Sequence, residues 1–275
     1  MEETARNVST WDGLRMSARL WGAGPATPLL CLPGLVRTAA DFADLAARHG
    51  HRRRVVALDY IGRGRSARAR DVARYQPELM LRDVLDACAA LHLHRAIVVG
   101  TSFGGLLAMG IAAVRPGLLA GVVLNDIGPE IGSAGEAFIR NFVANDPALP
   151  DLETAATHLR TLLAHLSITG DDQWRRFAAL TYAPDASGLW RPQWDTRIAG
   201  LLTGGVRDLW PLFHALQATP LLLLHGAISA LLLPATVAAM RHARPDMAVA
   251  TIPGVGHGPT FAEPEAAAAI DRFLA

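Results

Sequence analysis

Lysine is absent from this chain of 275 residues, so that all 26 of its basic residues are arginine. The absence excludes a Schiff-base lysine, a pyridoxal anchor and the lysine of a phosphate-binding loop. The 25 acidic residues almost cancel the arginines, and the formal net charge is +1. Because neither sign of charge forms a long run, we expect no nucleic acid partner and no membrane-binding arm.

Cysteine is scarce as well. Cys31 and Cys88 have neither the spacing of metal ligands nor a C-x-x-C pattern, and both lie in apolar surroundings. They predict two buried thiols in a reducing compartment, with no metal site. The first residues lack the positive start and the apolar stretch of a secretory signal, so we expect a cytoplasmic protein. No residue pattern indicates a cofactor.

Residues 221–240 form a nearly continuous apolar run of about the length of a membrane span. The run contains His225, Gly226, Ser229 and Pro234. These residues favour a strand, a turn and a helix over a single membrane-spanning helix, and we expect no membrane partner.

Short apolar runs alternate with helical patterns along the chain, and 51% of its residues are hydrophobic. The apolar runs cover residues 28–32, 55–58, 95–99, 121–124, 221–224 and 248–252. Uninterrupted apolar runs are typical of strands that are buried on both faces by the intervening helices. We therefore predict an α/β fold, with a mostly parallel central sheet and helices on both faces.

Residues 131–217 break this alternation and are mostly helical in pattern. We predict that they form a helical cap inserted after the sixth strand, and that residues 1–130 and 218–275 form the core. The aromatic residues of this segment either form its own small core or line an apolar pocket over the carboxyl edge of the sheet. The candidate pocket residues are Phe138, Phe142, Trp174, Trp190, Trp194 and Trp210.

Residues 100–104 match the pattern G-x-S-x-G, with Ser102 at its centre. They directly follow the apolar run 95–99 and precede a helical pattern, which is the setting of a nucleophile elbow. The alternative is a glycine-rich turn in which the serine is incidental. A nucleophilic serine needs a base that removes its hydroxyl proton, and this base has to come from elsewhere in the chain.

His257 is the candidate base among ten histidines. It lies in the glycine- and proline-rich loop 253–259, which follows the last apolar run. Because this loop leaves the carboxyl end of a strand, we expect the imidazole at the same sheet edge as Ser102. The alternative is an ordinary loop histidine.

Four segments carry a resemblance to a known family: 32–35 (LPGL), 59–66 (DYIGRGRS), 100–105 (GTSFGG) and 254–257 (GVGH). In these segments and their order the chain resembles the α/β-hydrolase fold superfamily, most of all its small capped bacterial esterases and lactonases. The resemblance implies that Ser102 is the nucleophile and His257 the base. It also implies an oxyanion hole made of the backbone N–H groups of Leu35 and Phe103, and a small-molecule ester or lactone as substrate.

The acidic residue of the triad is missing from its usual place. Relatives often carry an aspartate in a G-x-x-S-D pattern after the penultimate strand, and this chain has Ala230 at that position. One hypothesis is that the sequence is an acid-to-alanine variant made to trap a ligand. The other is that the acid has moved to Asp126, which follows the apolar run 121–124. The alternative for Asp126 is a turn or cap residue, or a carboxylate that binds the hinge of the inserted cap.

Two other functions are compatible with these residues. A C–C bond hydrolase acting on a diketone would use the same serine and histidine. A small-molecule binding protein or receptor would use the capped pocket with little turnover, and the missing acid at position 230 favours it. Serine at position 102 argues against dehalogenase and epoxide-hydrolase chemistry, because the relatives with those activities use an aspartate nucleophile.

Overall fold

The computed structural model describes residues 2–202 and 208–275 of the chain. Within these residues a seven-stranded sheet has the order β1-β2-β4-β5-β8-β9, with β3 paired to β2, and β6 pairs with β7 in a separate small sheet. The strands are β1 (Glu3–Ser9), β2 (Arg15–Leu32), β3 (Arg53–Asp59), β4 (Ala96–Thr101), β5 (Leu119–Asn125), β6 (Tyr182–Pro184), β7 (Trp190–Pro192), β8 (Leu221–Gly226) and β9 (Ala248–Ile252).

The centre of the sheet is parallel, as the sequence predicts. Strand β4 pairs in parallel with β2 on one side and with β5 on the other, and the parallel order continues through β8 to β9. Only β1 and the first half of β2 form an antiparallel edge. All six residues of β8 are buried, because helices cover this sheet on both faces.

Strand β2 is 18 residues long and pairs with β3 twice. Its first half pairs antiparallel with β3, for example Ser17 with Asp59, and its second half pairs with the same strand from Leu29, opposite Val55. The chain turns between the two halves at Gly22, where φ is +71°. When the two halves are counted separately, β5 is the sixth extended segment, and the inserted helical segment follows it.

The helices are α1 (Ala43–His49), α2 (Pro77–Ala90), α3 (Phe103–Val114), α4 (Ser133–Ala144), α5 (Leu152–Leu162), α6 (Asp171–Thr181), α7 (Trp210–His214), α8 (Pro234–Ala243) and α9 (Pro264–Leu274). They bury two apolar clusters, one on each face of the sheet. Leu45 of α1 and Ile270 of α9 belong to one cluster. Val84 of α2 and Met109 of α3 belong to the other. The predicted α/β fold with helices on both faces is therefore confirmed.

The apolar run 221–240 divides into β8, a turn and most of α8, as expected. None of the helices in the described part of the chain is long and apolar enough to cross a membrane. Both cysteines are free and buried, and burial raises the pKa of the Cys88 thiol to about 12.

Helices α4 to α7 and the small sheet β6-β7 lie between β5 and β8 in the chain. This is the segment predicted as a cap, and its residues 203–207 lie outside the described residues. Main-chain hydrogen bonds join it to the loop that follows β3: Gly64 N donates to Gln193 O (2.7 Å), and Asp195 N donates to Gly62 O (2.8 Å). The inserted segment is thus fastened to the sheet domain by backbone pairing as well as by apolar contacts.

A buried ion pair joins α2 to the segment before it and to the turn after β1. The Arg74 guanidinium donates two hydrogen bonds to Asp83 (2.9 and 2.7 Å) and two to Asp12 (2.7 and 3.0 Å). Asp83 is 1% exposed, and its burial raises the pKa of that carboxyl although Arg74 opposes the rise. Removing the arginine would leave Asp83 as a buried charge without its cation.

We expect Arg74→Met to lower the free energy of unfolding by about 3–5 kcal/mol at neutral pH, because a buried carboxylate loses its partner. Arg140→Met, which breaks the exposed pair with Glu136, is the control and should cost no more than about 1 kcal/mol. Urea unfolding of the two variants measures the difference. Equal losses would show that the buried pair contributes no more than the exposed one.

Candidate active site

Ser102 lies at the tip of a sharp turn between β4 and α3. Its backbone has φ +51° and ψ −115°, a strained conformation for a residue with a side chain. Hydrogen bonds on both sides of the serine maintain this conformation: Ser102 N donates to Asn125 O (3.0 Å), and Gly105 N donates to Ser102 O (2.8 Å). The hydroxyl is thereby presented at the carboxyl edge of the sheet, which is the geometry of a nucleophile elbow.

Two glycines flank this turn because no side chain fits there. A Cβ on Gly104 would lie well inside contact distance of the Leu32 carbonyl oxygen, which belongs to the neighbouring strand. A Cβ on Gly100 would collide with the carbonyl of Gly104 across the turn. The G-x-S-x-G pattern is therefore required by the close approach of α3 to the sheet.

His257 lies in the loop after β9 and meets Asp126 from the end of β5. The His257 Nδ1 atom is 2.7 Å from Asp126 Oδ2. Both His257 and Ser102 line the same cavity. The structure thus brings three of the candidate catalytic residues together at one edge of the sheet.

The Asp126 carboxylate is fully buried and surrounded by donors. Its Oδ1 accepts a hydrogen bond from Gly226 N (2.8 Å), and its Oδ2 accepts one from Ser229 Oγ (2.6 Å) in addition to the His257 contact. Its backbone, with φ +54°, turns sharply at the end of β5. The side chain thus contacts both the imidazole and the turn after β8.

Ala230, at the position where relatives carry the acid, lies in the wall of the cavity. The residue before it, Ser229, reaches the carboxylate of Asp126. The partner of the His257 Nδ1 atom therefore comes from the end of β5 and not from the turn after β8. The described structure needs no aspartate at position 230 to hold the imidazole.

The two N–H groups expected in an oxyanion hole flank Ser102. Phe103 is the first residue of α3, and the N–H groups of a first helical turn have no partner within the helix. Leu35 lines the cavity beside Gly34, where an added Cβ would be 3.9 Å from the Cβ of Ser102. Leu35 and Phe103 are therefore close to the serine, and their role as oxyanion donors stays a prediction.

The cavity above Ser102 has a volume of about 670 Å³. Its walls are mainly apolar side chains of α4, α5 and the segment after α5, namely Phe138, Ile139, Phe142, Val143, Leu162, Leu163 and Leu166. The volume is within the usual range for small-molecule sites, which combine apolar walls with a few polar groups. The polar groups here include Ser102 and His257.

A sequence model of the alpha/beta hydrolase family matches residues 29–270. The chain belongs to the alpha/beta hydrolase family. The match covers both the elbow and the histidine loop.

Individual relatives of this alpha/beta hydrolase are similar over nearly the whole chain. A 3-hydroxybutyrate-oligomer hydrolase from Cupriavidus necator is 32% identical, with 94% of this chain and 92% of that protein covered. A 2-(acetamidomethylene)succinate hydrolase from Mesorhizobium japonicum is 27% identical, with 92% and 88% covered. The crystal structure of an alpha/beta hydrolase from Novosphingobium aromaticivorans has a TM-score of 0.94 at 38% identity, with 99% and 98% covered.

Two of the six predicted pocket residues, Phe138 and Phe142, line the cavity of this alpha/beta hydrolase, and the four tryptophans do not. Trp194 is buried in the inserted segment, where its Nε1 donates to Val143 O (2.9 Å). Trp210 is held outside the cavity by Glu130, whose Oε1 accepts a hydrogen bond from the indole (2.8 Å). The prediction that Trp194 and Trp210 line the pocket is wrong, because both indoles are used for packing.

The other two tryptophans also belong to the internal packing. Trp174 is buried on α6 and packs edge-to-face on Phe177, with ring centroids 6.0 Å apart. Trp190 lies in β7, and its backbone pairs with that of Leu149. The pocket prediction is therefore wrong for Trp174 and Trp190 as well.

Asn125 is a site residue that the sequence reasoning missed. Its Nδ2 donates to Pro259 O in the histidine loop (2.8 Å) and to Thr101 Oγ1 beside the elbow (3.1 Å). One buried amide thus fixes the serine turn and the histidine loop relative to each other. The available signal was its place next to Asp126 at the end of an apolar run.

A second group missed from the sequence ties the inserted segment to the histidine loop. Gly256 N donates to His165 O (2.8 Å), and the His165 ring packs so closely on Gly256 that a side chain there would collide with it. Ser167 Oγ donates to the buried Glu263 carboxylate, which also accepts from Thr260 N (2.8 Å). Burial lowers the pKa of His165, which favours its neutral form in the cavity wall.

We expect Gly104→Ala to destabilise the protein by about 1–3 kcal/mol, since the added methyl meets a strand carbonyl that cannot move freely. It should also reduce the reactivity of Ser102 by displacing the turn. Gly117→Ala adds the same methyl where no atom lies within 4 Å, and should change stability by no more than about 0.5 kcal/mol. Thermal unfolding and serine labelling of both variants provide the measurement. Equal stability and equal labelling of the two variants would show that the approach of α3 to the sheet leaves room for a side chain at position 104.

Proposed function

We propose that this protein is a serine hydrolase that cleaves a carboxylic ester or lactone through an acyl-enzyme on Ser102. The observation that carries the proposal is the 2.7 Å contact between His257 Nδ1 and the buried Asp126 carboxylate, next to a serine at a strained elbow. Asp126 keeps the proton on Nδ1 and stabilises the imidazolium. His257 Nε2 is then free to take the proton of the Ser102 hydroxyl as Oγ attacks the carbonyl carbon.

The N–H groups of Leu35 and Phe103 donate to the oxygen that becomes negative in the tetrahedral intermediate. Collapse of this intermediate breaks the ester C–O bond, and His257 gives its proton to the leaving alkoxide. Water then attacks the acyl-enzyme with His257 again acting as base, which releases the acid and restores Ser102.

The walls of the cavity support an aliphatic acyl group as substrate. Apolar side chains make up most of the cavity lining. The 3-hydroxybutyrate-oligomer hydrolase, 32% identical over nearly the whole chain, supports short linear hydroxyalkanoate esters in particular. We propose such oligomers as the preferred substrates, ahead of lactones.

The binding-protein hypothesis drew its support from the missing acid at position 230. With the Asp126 carboxylate on the imidazole, that support is gone. The hypothesis of an acid-to-alanine variant loses its basis for the same reason, because His257 Nδ1 already has a carboxylate partner.

Asp126→Asn tests the proposed acid. The amide keeps the shape, and its oxygen can still accept from Gly226 N. Its NH2 then takes the place of Oδ2 and donates to His257 Nδ1, which favours the wrong imidazole tautomer, so we expect kcat to fall about 10⁴-fold. Ala230→Asp is the matched test of the usual position and should give no gain. Turnover of p-nitrophenyl butyrate by both variants decides between the two positions. A gain of several orders of magnitude in Ala230→Asp would contradict the assignment.

A fluorophosphonate probe tests the nucleophile. We expect covalent labelling of the unaltered protein and none of Ser102→Ala, because only a serine activated by a base attacks the phosphorus centre. Ser167→Ala removes another serine of the same cavity and should still be labelled. Persistent labelling of Ser102→Ala would refute the assignment.

The unaltered protein also tests the substrate class. We compare its kcat/KM for three substrates: a linear 3-hydroxybutyrate trimer, a lactone of equal carbon number and an aryl β-diketone. We expect the linear trimer to be cleaved fastest. Preference for the lactone would overturn the oligomer proposal, and preference for the diketone would favour the C–C bond hydrolase.

A further inference from the structure

The loop after β3 packs beneath both residues of the proposed oxyanion hole. Tyr60, fully buried, packs its ring edge-to-face on Phe103 with centroids 5.6 Å apart. Its hydroxyl donates to Pro33 O (3.0 Å). Three residues further on, Arg63 Nε donates to Leu35 O (2.8 Å). One loop therefore contacts the two separate chain segments that carry the oxyanion donors.

These contacts fix three consecutive peptide groups around the N–H of Leu35. The carbonyl of Pro33 accepts from Tyr60, the carbonyl of Gly34 accepts from Arg37 N (3.1 Å), and the carbonyl of Leu35 accepts from Arg63. The peptide group between Gly34 and Leu35 carries the proposed oxyanion donor. Since this group and its two neighbours are held through their carbonyls, the direction of the Leu35 N–H is fixed.

Burying the Arg63 side chain at this position costs free energy. It is 1% exposed, its Nε and Nη1 donate to carbonyls of Leu35 and Ile61, and its Nη2 is buried without a hydrogen-bond partner in the described structure. Its other neighbours include Met80 Sδ, 4.0 Å from Nη1, and the rings of Tyr60 and Tyr75, 5.9 and 5.6 Å from the guanidinium carbon. Burying a cation whose hydrogen bonds go to carbonyls costs several kcal/mol in general.

The guanidinium stays charged despite this cost. Burial lowers the pKa of Arg63 to about 10, which still leaves it protonated at neutral pH. Its backbone is held as well, because residues 62 and 64 pair with residues 193–195 of the inserted segment. A fixed positive charge therefore lies next to the chain segment that carries the Leu35 N–H.

We propose that Arg63 is a positioning residue for the oxyanion hole: it orients the Leu35 peptide and places a positive charge behind the oxygen that becomes negative. The inference rests on the proposed serine hydrolase mechanism. A preorganised charge contributes to the transition state, where the oxyanion has formed, more than to the bound ester. Loss of Arg63 should therefore reduce kcat and leave KM nearly unchanged.

Arg63→Met and Arg63→Lys test the proposal, and Arg244→Met is the control. Arg244 is also buried and donates to two carbonyls, Leu216 O (2.6 Å) and Thr219 O (3.1 Å), but these carbonyls lie outside the two segments that carry the proposed oxyanion donors. For Arg63→Met we expect kcat on p-nitrophenyl butyrate to fall about 10²- to 10³-fold with KM within about threefold. Arg63→Lys, which keeps a charged donor, should recover part of the loss. Arg244→Met should lose stability without loss of kcat.

Inhibition by an alkyl trifluoromethyl ketone provides a readout that packing alone would not change. The ketone adds to Ser102 as a tetrahedral oxyanion, so its affinity should fall in parallel with kcat/KM in Arg63→Met, while the affinity for a butyrate product stays the same. Tyr60→Phe keeps the ring and removes only the bond to Pro33 O. It should lower kcat about threefold to tenfold, and it serves as the second variant if Arg63→Met does not fold.

Unchanged kcat and ketone affinity in folded Arg63→Met or, where that variant does not fold, in Tyr60→Phe would overturn the proposal. A fall in kcat that Arg244→Met shares at equal loss of stability would also overturn it. Failure of the hydrolase mechanism itself gives a different result. In that case the unaltered protein is neither labelled by fluorophosphonate nor inhibited by the ketone.

Discussion

The buried carboxylate of Asp126 is the constraint on which the rest of the site depends. A fully buried charge is tolerated only when hydrogen bonds satisfy it. Here the donors are Gly226 N, Ser229 Oγ and His257 Nδ1, which come from the end of β8, the turn after it and the loop after β9. Satisfying one carboxylate therefore fixes three loops at the carboxyl edge of the sheet. The imidazole is oriented as part of the same arrangement.

Asn125 likewise contacts two parts of the site. In the strained turn, Ser102 N donates to the backbone carbonyl of Asn125, whose side chain also donates to Pro259 O in the histidine loop. Adjacent residues at the end of β5, Asn125 and Asp126, thus serve the nucleophile and the base respectively. The strain at Ser102 persists because the surrounding hydrogen bonds leave the turn no other conformation.

The fold class and the elbow could be predicted from the sequence because both depend on local patterns: uninterrupted apolar runs, and two glycines around Ser102. The partner of His257 depends on which strand ends meet in space. The local G-x-x-S-D pattern pointed to position 230 and left Asp126 as one of two explanations for Ala230; the structure has Asp126, 131 positions from the histidine, in contact with the imidazole. The tryptophans failed as pocket residues because composition does not tell whether an aromatic side chain faces a cavity or the core of its own segment; the buried indole of Trp194 donates to Val143 O.

Two sets of main-chain hydrogen bonds restrict how substrate can enter the site. Residues 62–64 pair with residues 193–195, and Gly256 N donates to His165 O. The inserted segment is anchored to the sheet domain near the oxyanion loop and again at the histidine loop. Lifting it as a rigid body would break main-chain hydrogen bonds at both anchors. Entry of a substrate with these bonds intact therefore requires an opening between the side chains of the cavity wall.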